Sequence, residues 1–384
     1  MVEWKTIDDI SNSVFAGGTP STKHEEYYDG DIPWIRSGEI DFNVITSAER
    51  NITKKGYENS SAKLIRKGSV VMAMTGATVA KAAIIDFETS ANQSVCAIET
   101  NENIAYYKYV YYNLAKDYFK IKSSAQGALT SLNLAMIKQI EIPIPSLSEQ
   151  QRIVGILDTF TSAIDNLKAQ IAQRRKQYEY YRDQLLDLEG KDGVEMKTLG
   201  EIGEFIRGNG IQKSDFVDEG FGCIHYGQIH ARYGFSAKET ISRVEESLYK
   251  KCKKAKTGDV VLATTSEDVE GVAKPFVWLG DNDVAVSGDA FIYHHNQIGK
   301  FIGYQFLTHK FMQFKVKYAT GTKVVRISGE NMAKFIVALP SKSEQQRIVS
   351  ILDTFEASIQ NLEAQLEQRQ KQYEYYRNKL LTFE

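Results

Sequence analysis

Apolar and aromatic side chains recur at strictly alternating steps of three and four along two stretches of the chain. The first carries Leu157, Phe160, Ile164, Leu167, Ile171, Arg174, Tyr178, Tyr181, Leu185 and Leu188. The second carries Leu352, Phe355, Ile359, Leu362, Leu366, Arg369, Tyr373, Tyr376, Leu380 and Phe383. This is a heptad seam with one polar interruption, at the same place in both stretches. A proline precedes Ser146 and Ser341, with Glu149 and Glu344 three residues on, the signature of a capping box. The spacing predicts two helices, over 146–190 and 341–384, each about 60 Å long. The turn-rich Gly190-Lys191-Asp192-Gly193 ends the first. The two helices are expected to pair antiparallel as a coiled coil. Arg174 and Arg369 are then expected either to set register or to snorkel toward Glu363 or Glu367. Seam residues Tyr178 and Tyr181 are expected in the core. Tyr180 and Tyr375 fall off the seam and are read either as solvated or as docking a partner.

The two stretches are copies of one another. Residues 145–189 map onto 340–384 without a gap at a constant offset of 195, with 31 identities in 45 positions. The chain is therefore an internal duplication, with a pseudo-two-fold repeat expected. The segments 1–145 and 191–340 repeat more faintly: Val2–Ile7 matches Val194–Leu199, and Gly68–Val71 matches Gly258–Val261. Runs such as Ser69–Met74 and Asp259–Ala263 read as strands, and Tyr106–Lys122 and Ile298–Tyr318 as helices. The predicted fold class is α/β (α+β): two mixed domains, 1–145 and 191–340, joined by the helices 146–190 and 341–384. The scaffolds correspond while the loops diverge, as in GGTPSTKHEEYYDGD against GNGIQKSDFVDEG.

Composition changes this picture little. Apolar residues make up 42% and charged residues 25%, ordinary for a soluble globular protein. A formal charge of −2 argues against a polycation but not against a local basic face. No apolar run reaches a membrane span, and the start reads as no secretory signal, so a cytoplasmic protein is expected. Cys96, Cys223 and Cys252 are too few and too scattered for a disulfide framework or a zinc site. The chain has no [DN]PP[YFW] motif, no GxxxxGK[ST] loop and no HExxH. The pair His294-His295 reads as a strand or turn element rather than a ligand site. No nucleophile, base and oxyanion site assembles, so a non-catalytic recognition chain is expected.

The GGTPS segment with Ile32-Pro33-Trp34-Ile35 downstream, and the IPxPxxxEQQRIVxILD junction, resemble the specificity subunits of type I restriction–modification enzymes. That resemblance covers essentially the whole chain. It implies two target-recognition domains that each read half of a split, asymmetric site in double-stranded DNA. It implies a coiled coil that sets their separation and docks two modification subunits, with motor–nuclease restriction subunits joining. S-adenosylmethionine, ATP and Mg are then expected on the partner subunits, with no cofactor or metal bound by this chain. The second domain departs from the pattern, with Gly208-Asn209-Gly210 where the first has Gly17-Gly18-Thr19-Pro20.

Base reading needs amides, hydroxyls and guanidinium groups, and phosphate contact needs cations. In the first half the candidates are Thr19, Ser21, Lys23, Arg36, Ser37, Thr75, Thr78, Lys81, Lys122, Ser124 and Gln126, in glycine-flanked loops where backbone can approach a duplex. In the second they are Tyr226 and Gln228, by correspondence with Ser37 and Glu39, and the cluster Lys315, Lys317, Lys323 and Arg326. The run Lys250–Lys256 is read either as a phosphate patch or as a solvated helix face. Two other classes remain: a coiled-coil adaptor that binds only proteins, and a self-contained DNA-modifying enzyme, which the missing motifs disfavour.

Overall fold

A computed structural model describes residues 2–125 and 131–383. The chain forms two compact units, Met1–Lys168 with Ala364–Glu384, and Ala169–Glu363. Each unit holds one α/β scaffold, the first half of one long helix and the second half of the other.

In the first unit a five-stranded sheet has the order Ser11–Ala16, Val95–Thr100, Val70–Ala73, Ala82–Ile85, Val44–Ile45. Alternation along Val70–Ala73 explains why all four residues are buried. Val70 and Met72 face a core shared with the helix Tyr107–Lys116, and Val71 and Ala73 face a second core with Ile35 and Ile65. A four-stranded sheet, ordered Arg50–Ile52, Tyr28–Ile35, Thr89–Ala91, Leu64–Ile65, carries Ile35 and Ile65. The second unit repeats the plan, with Val260–Ala263 as the doubly covered strand. It holds two five-stranded sheets, one ordered Gly203–Arg207, Ala290–His295, Val260–Ala263, Lys274–Trp278, Ser236–Ala237 and the other Phe216–Val217, Ser242–Val244, Phe221–Ile224, Val284–Val286, Lys254–Ala255. Small antiparallel pairs, Glu3–Thr6 with Glu141–Ile144 and Glu195–Thr198 with Ile336–Leu339, lead into the long helices.

The long helices span Leu147–Leu186 and Lys342–Leu380. Ser146 and Ser341 cap them, accepting from the amides of Glu149 (3.4 Å) and Glu344 (3.3 Å). The capping box is only half formed. Glu149 and Glu344 turn instead to Arg152 and Arg347 in two-pronged ion pairs. Leu188, expected inside the first helix, lies past its end but is still buried.

A pair of motifs holds each helix root to its scaffold. Gln150 is fully buried; its oxygen accepts from the Tyr106 amide (2.8 Å), and its nitrogen donates to the carbonyls of Ile104 and Pro145. Gln345 repeats this with the Ile298 amide and the Pro340 carbonyl. Two turns on, Asp158 receives Lys108 (2.5 Å) and the Tyr112 hydroxyl (2.7 Å), and Asp353 receives Lys300 (3.0 Å) and the Tyr304 hydroxyl (2.7 Å). Burial pushes the Tyr112 and Tyr304 hydroxyls above the usual range, with the neighbouring carboxylates adding to the effect. The glutamine thus satisfies an amide at the start of a scaffold helix that has no partner within that helix.

The helix pairing is antiparallel within the second unit, where Arg175 meets Glu363, Tyr178 meets Glu356 (3.3 Å), and Tyr181 stacks on Phe355 (5.6 Å). In the first unit Phe160 stacks on Tyr376 (5.3 Å). The seam is less buried than its spacing suggests. Tyr181 and Tyr376 are 44% and 41% exposed, because each stacks one ring face on a phenylalanine. Arg174 and Arg369 do not reach Glu363 or Glu367. Each guanidinium lies over a seam phenylalanine, Phe355 at 6.0 Å and Phe160 at 5.8 Å, and Glu363 is taken by Arg175. Arg369 is exposed. The two long scaffold helices expected from the sequence are each broken. The first divides at Asp117 into Tyr107–Lys116 and Tyr118–Ser124. The second divides into Gly299–Gln305 and His309–Tyr318, restarted by the Thr308 hydroxyl cap on the Phe311 amide (3.2 Å).

The tail of each long helix completes the core of the scaffold to which it is not joined at its root. Leu381 is fully buried in the first-unit core, and Leu186 and Leu188 are buried to 5% exposure in the second-unit core. The Lys116 ammonium donates to the Leu381 carbonyl (2.9 Å). Truncating Leu381 or Leu186 to alanine is expected to cost about 2–5 kcal/mol each. The costs add to within ~0.5 kcal/mol in the double variant, because the two cores are separate; denaturant midpoints of the three variants check this.

Candidate nucleic-acid interface

The glycines of the first loop serve the fold before any ligand. Gly17 and Gly18 donate to the carbonyls of Val95 (3.0 Å) and Ala91 (2.8 Å). A Cβ on Gly17 would collide with the carbonyl oxygens of Ala91 and Asn92, and one on Gly208 with those of Ser287 and Val286. These glycines therefore let the loop cross the strand end beside it, in both units. Trp34 and Pro20 of the same signature are also bonded internally. The Trp34 indole donates to the Gly18 carbonyl (3.0 Å), and the Tyr28 hydroxyl to that of Pro20 (2.6 Å).

Around this crossing the first unit gathers five loop segments. Thr19 hydrogen-bonds Gln93, and the Thr78 hydroxyl donates to the Ser37 carbonyl (2.8 Å). Met74 is bound from one side by Ser94 and from the other by Leu132. Lys81 pairs with Asp41 (2.5 Å) and lies over the Phe42 ring (5.9 Å). Phe42 meets Tyr118 edge-on (5.2 Å), and Lys122 lies over Tyr118 (5.3 Å). Lys81 and Lys122, 41 residues apart in sequence, thus share one aromatic platform. Ser21 and Lys23 are exposed, and Thr75 is half-buried. Ser124 donates to the Ile121 carbonyl (2.7 Å), which fastens the end of its helix. Arg36 is shared between Glu39 and Glu49, so its charge is largely compensated. Gln126 lies outside the described residues.

The second unit gathers equivalent segments. The Tyr226 amide donates to Ser287 Oγ (2.9 Å), Thr264 to the Asp289 carbonyl (3.0 Å), and His230 Nε2 lies 3.0 Å from the Thr265 carbonyl. The strand Thr265–Ser266 pairs antiparallel with Val325–Arg326, a ribbon that the sequence pattern did not disclose. Beyond it, Thr320 and Arg326 exchange backbone hydrogen bonds of 2.9 and 2.8 Å and close a tip at Gly321, whose φ is +105°. Lys323 and Arg326 are exposed on this turn, and Lys317 is exposed on the helix before it.

Two expected base and phosphate contacts have other work. Gln228 is 7% exposed and reaches back to the His225 amide (3.3 Å) while donating to Ser242 Oγ (2.6 Å). Glu39 does the same for the Arg36 amide (2.7 Å). The correspondence of Glu39 with Gln228 is real, but its basis is helix capping. Lys315 is 5% exposed rather than a surface cation. Its ammonium donates to the carbonyls of Glu270 (2.6 Å) and Val272 (3.0 Å), and burial holds its pKa down to about 8. A lysine in the last turn of an amphipathic helix reads as solvated, so nothing in the local pattern flagged it. In the run 250–256, Lys250 pairs with Glu246 (2.8 Å) and Lys254 lies over Tyr249 (4.7 Å). His294 and His295 end the strand Ala290–His295. His294 binds Asp259 (2.7 Å), and burial pushes His295 down to about 4. Among the described residues no cluster of histidine, cysteine and carboxylate side chains could hold a metal, and no helix is long and apolar enough to cross a membrane.

Comparison with known proteins agrees with this architecture. Residues 1–174 and 191–369 each match the type I restriction modification DNA specificity domain. The chain is 30% identical over 346 residues to the specificity subunit of the type I restriction enzyme EcoR124I/EcoR124II of Escherichia coli, covering 85% of this chain and 84% of that one. It is 28% identical to a putative type I restriction enzyme specificity subunit of Haemophilus influenzae, across 100% of this chain and 96% of that protein. Among solved structures, a chain of a type I R-M system superposes with a TM-score of 0.63 at 18% identity, covering 99% of this chain and 97% of its own. The S subunit from M. genitalium superposes with a TM-score of 0.58 at 16% identity, covering 100% and 97%. Two domain matches, end-to-end relatives and a shared fold lead to one conclusion: the chain belongs to the DNA specificity family of type I restriction–modification systems.

Proposed function

We propose that this chain reads a bipartite, asymmetric site in double-stranded DNA, one half with each scaffold, and presents it to modification subunits docked on the long helices. The observation that carries this reading is the contrast within the repeat. The buried Gln–Asp clamps and the glycine crossing recur in both units, while the loops gathered at each crossing differ in length, charge and side chains. A shared frame with unlike loops suits two different half-sites. In this reading Thr19, Ser21, Lys23, Thr75 and the Lys81–Lys122 platform face one half-site; Tyr226, Lys317, Lys323 and Arg326 face the other. The chain contributes recognition. Adenine methylation with S-adenosylmethionine, and ATP- and Mg-dependent restriction, reside on two modification subunits and on restriction subunits of a cytoplasmic complex. Thr78 and Ser37 hold the loops to one another, and Arg36 acts with its two glutamates.

Exchanging residues 1–145 for the matching domain of a relative is expected to change one half of the modified motif and leave the other intact. Adenine-modification mapping in cells reads this directly, and simultaneous change of both halves would mean that the domains are not independent readers.

Replacing Lys317, Lys323 and Arg326 by alanine is expected to weaken binding of the assembled complex to all sequences. The slope of log affinity against log salt falls by up to about three, close to one for each phosphate no longer neutralised. Binding titrations across a salt series measure it.

Each long helix enters both units, so its length is expected to fix the half-site spacing. Deleting one heptad from each helix, Ile164–Gln170 and Ile359–Gln365, keeps the seam in phase and removes about 10 Å. Modification mapping is expected to show that the original spacing disappears, with either no modified motif or the same half-sites closer together.

A further inference from the structure

One loop differs between the two scaffolds in a way that its neighbours explain. In the first unit the Ala80 amide closes a loop onto the Ala73 carbonyl (2.8 Å); in the second the Ala273 amide closes onto that of Ala263 (2.7 Å). Ala80 and Ala273 both adopt left-handed backbone, with φ of 67° and 57°, so the loops end in the same way. Six residues lie between the first pair and nine between the second. The longer loop, 264–272, carries Glu267, Asp268 and Glu270, all exposed, whereas the shorter has no charged residue.

The insertion coincides with a change in the helix behind it. Ile121 stands four residues before Ala125, where its helix ends, and Lys315 stands four residues before Ala319, the corresponding end. Both are 5% exposed. The first scaffold therefore buries an isoleucine where the second buries a lysine. The lysine reaches the carbonyls of Glu270 and Val272, both within the lengthened loop. Asp268 tightens the same loop from inside, accepting from the Gly271 amide (2.7 Å). The loop opens with Thr265–Ser266, paired to the ribbon that bears Arg326.

Resting on the DNA-reading function above, we propose that Lys315 is a positioning residue for half-site specificity: its ammonium fixes the longer loop of the second scaffold in the conformation that presents Glu267 and its neighbours to base edges. Exposed carboxylates repel phosphates and accept hydrogen bonds from base amino groups, of which cytosine N4 is the usual partner. A loop of this charge contributes discrimination more than affinity, and discrimination requires one fixed conformation. The lysine supplies that from behind, without touching DNA.

The test is adenine-modification mapping with the full chain co-expressed with its modification subunits, comparing wild type, Lys315→Met, and a chain lacking Asp268–Glu270 with Lys315 retained. For Lys315→Met the first half-site and the spacing are expected to stay intact, while discrimination at one or more positions of the second half-site falls about ten-fold. The loop deletion is expected to change the second half-site alone. The salt slope of Lys315→Met is expected to match wild type, since the same phosphates are neutralised in both. An unchanged second half-site in Lys315→Met, or equal loss at both half-sites in a complex that still assembles, overturns the proposal. If Lys315→Met fails to assemble, the deletion decides: an unaltered second half-site rejects a reading role for the loop. A wild-type complex that yields no bipartite motif would instead reject the DNA-reading function itself.

Discussion

Everything else in the molecule depends on the buried polar clamp between each scaffold and the root of its long helix. A glutamine with no exposure must have all its hydrogen-bonding groups satisfied, or its burial costs more than it stabilises. Gln150 meets this by binding one amide and two carbonyls, and Gln345 by an equivalent set. The aspartate two turns later adds a charged partner and a tyrosine hydroxyl. Apolar packing alone would let the helix slide along the sheet's covering layer. Directional bonds at two levels fix both its rotation and its axial position.

That fixed root explains which parts of the chain are free to vary. The loops that gather at the Gly17 and Gly208 crossings leave the sheet on strands held from behind by the clamped helices. Their backbones are tied to one another by a few bonds, such as Thr78 to Ser37 and Thr264 to Asp289, while most of their side chains remain outside the core. A loop can therefore gain three residues, as 264–272 has, at the modest cost of a slightly longer closure.

The long helices, their caps and the repeat were legible because heptad spacing and duplication are strong local signals. The α/β class and the strands Val70–Ala73 and Val260–Ala263 followed from short apolar runs, but their burial on both faces did not. The breaks at Asp117 and near Thr308 were missed, since apolar periodicity continues across both while side-chain capping and backbone geometry interrupt the helix. At the candidate interface, Lys317, Lys323 and Arg326 are as exposed as their composition suggested. Lys315 and Gln228 were misread, because a sequence gives residue type but not which carbonyl or amide lies beside it in the fold. The packing constraint on Gly17 was not legible, since it comes from a strand end at Ala91 and Asn92, more than 70 residues away in sequence.

The exchange of helix tails has a kinetic consequence. Lys116 binds the Leu381 carbonyl across 265 residues of chain, and the first core closes around the Leu381 side chain. Pairings of such separation form late, because most of the loop-closure entropy must be overcome before they return any stabilisation. During synthesis the first scaffold waits, incomplete, until residue 381 has been made. A premature stop anywhere in the second scaffold would thus leave the first one unfinished, with apolar surface bare for aggregation or proteolysis.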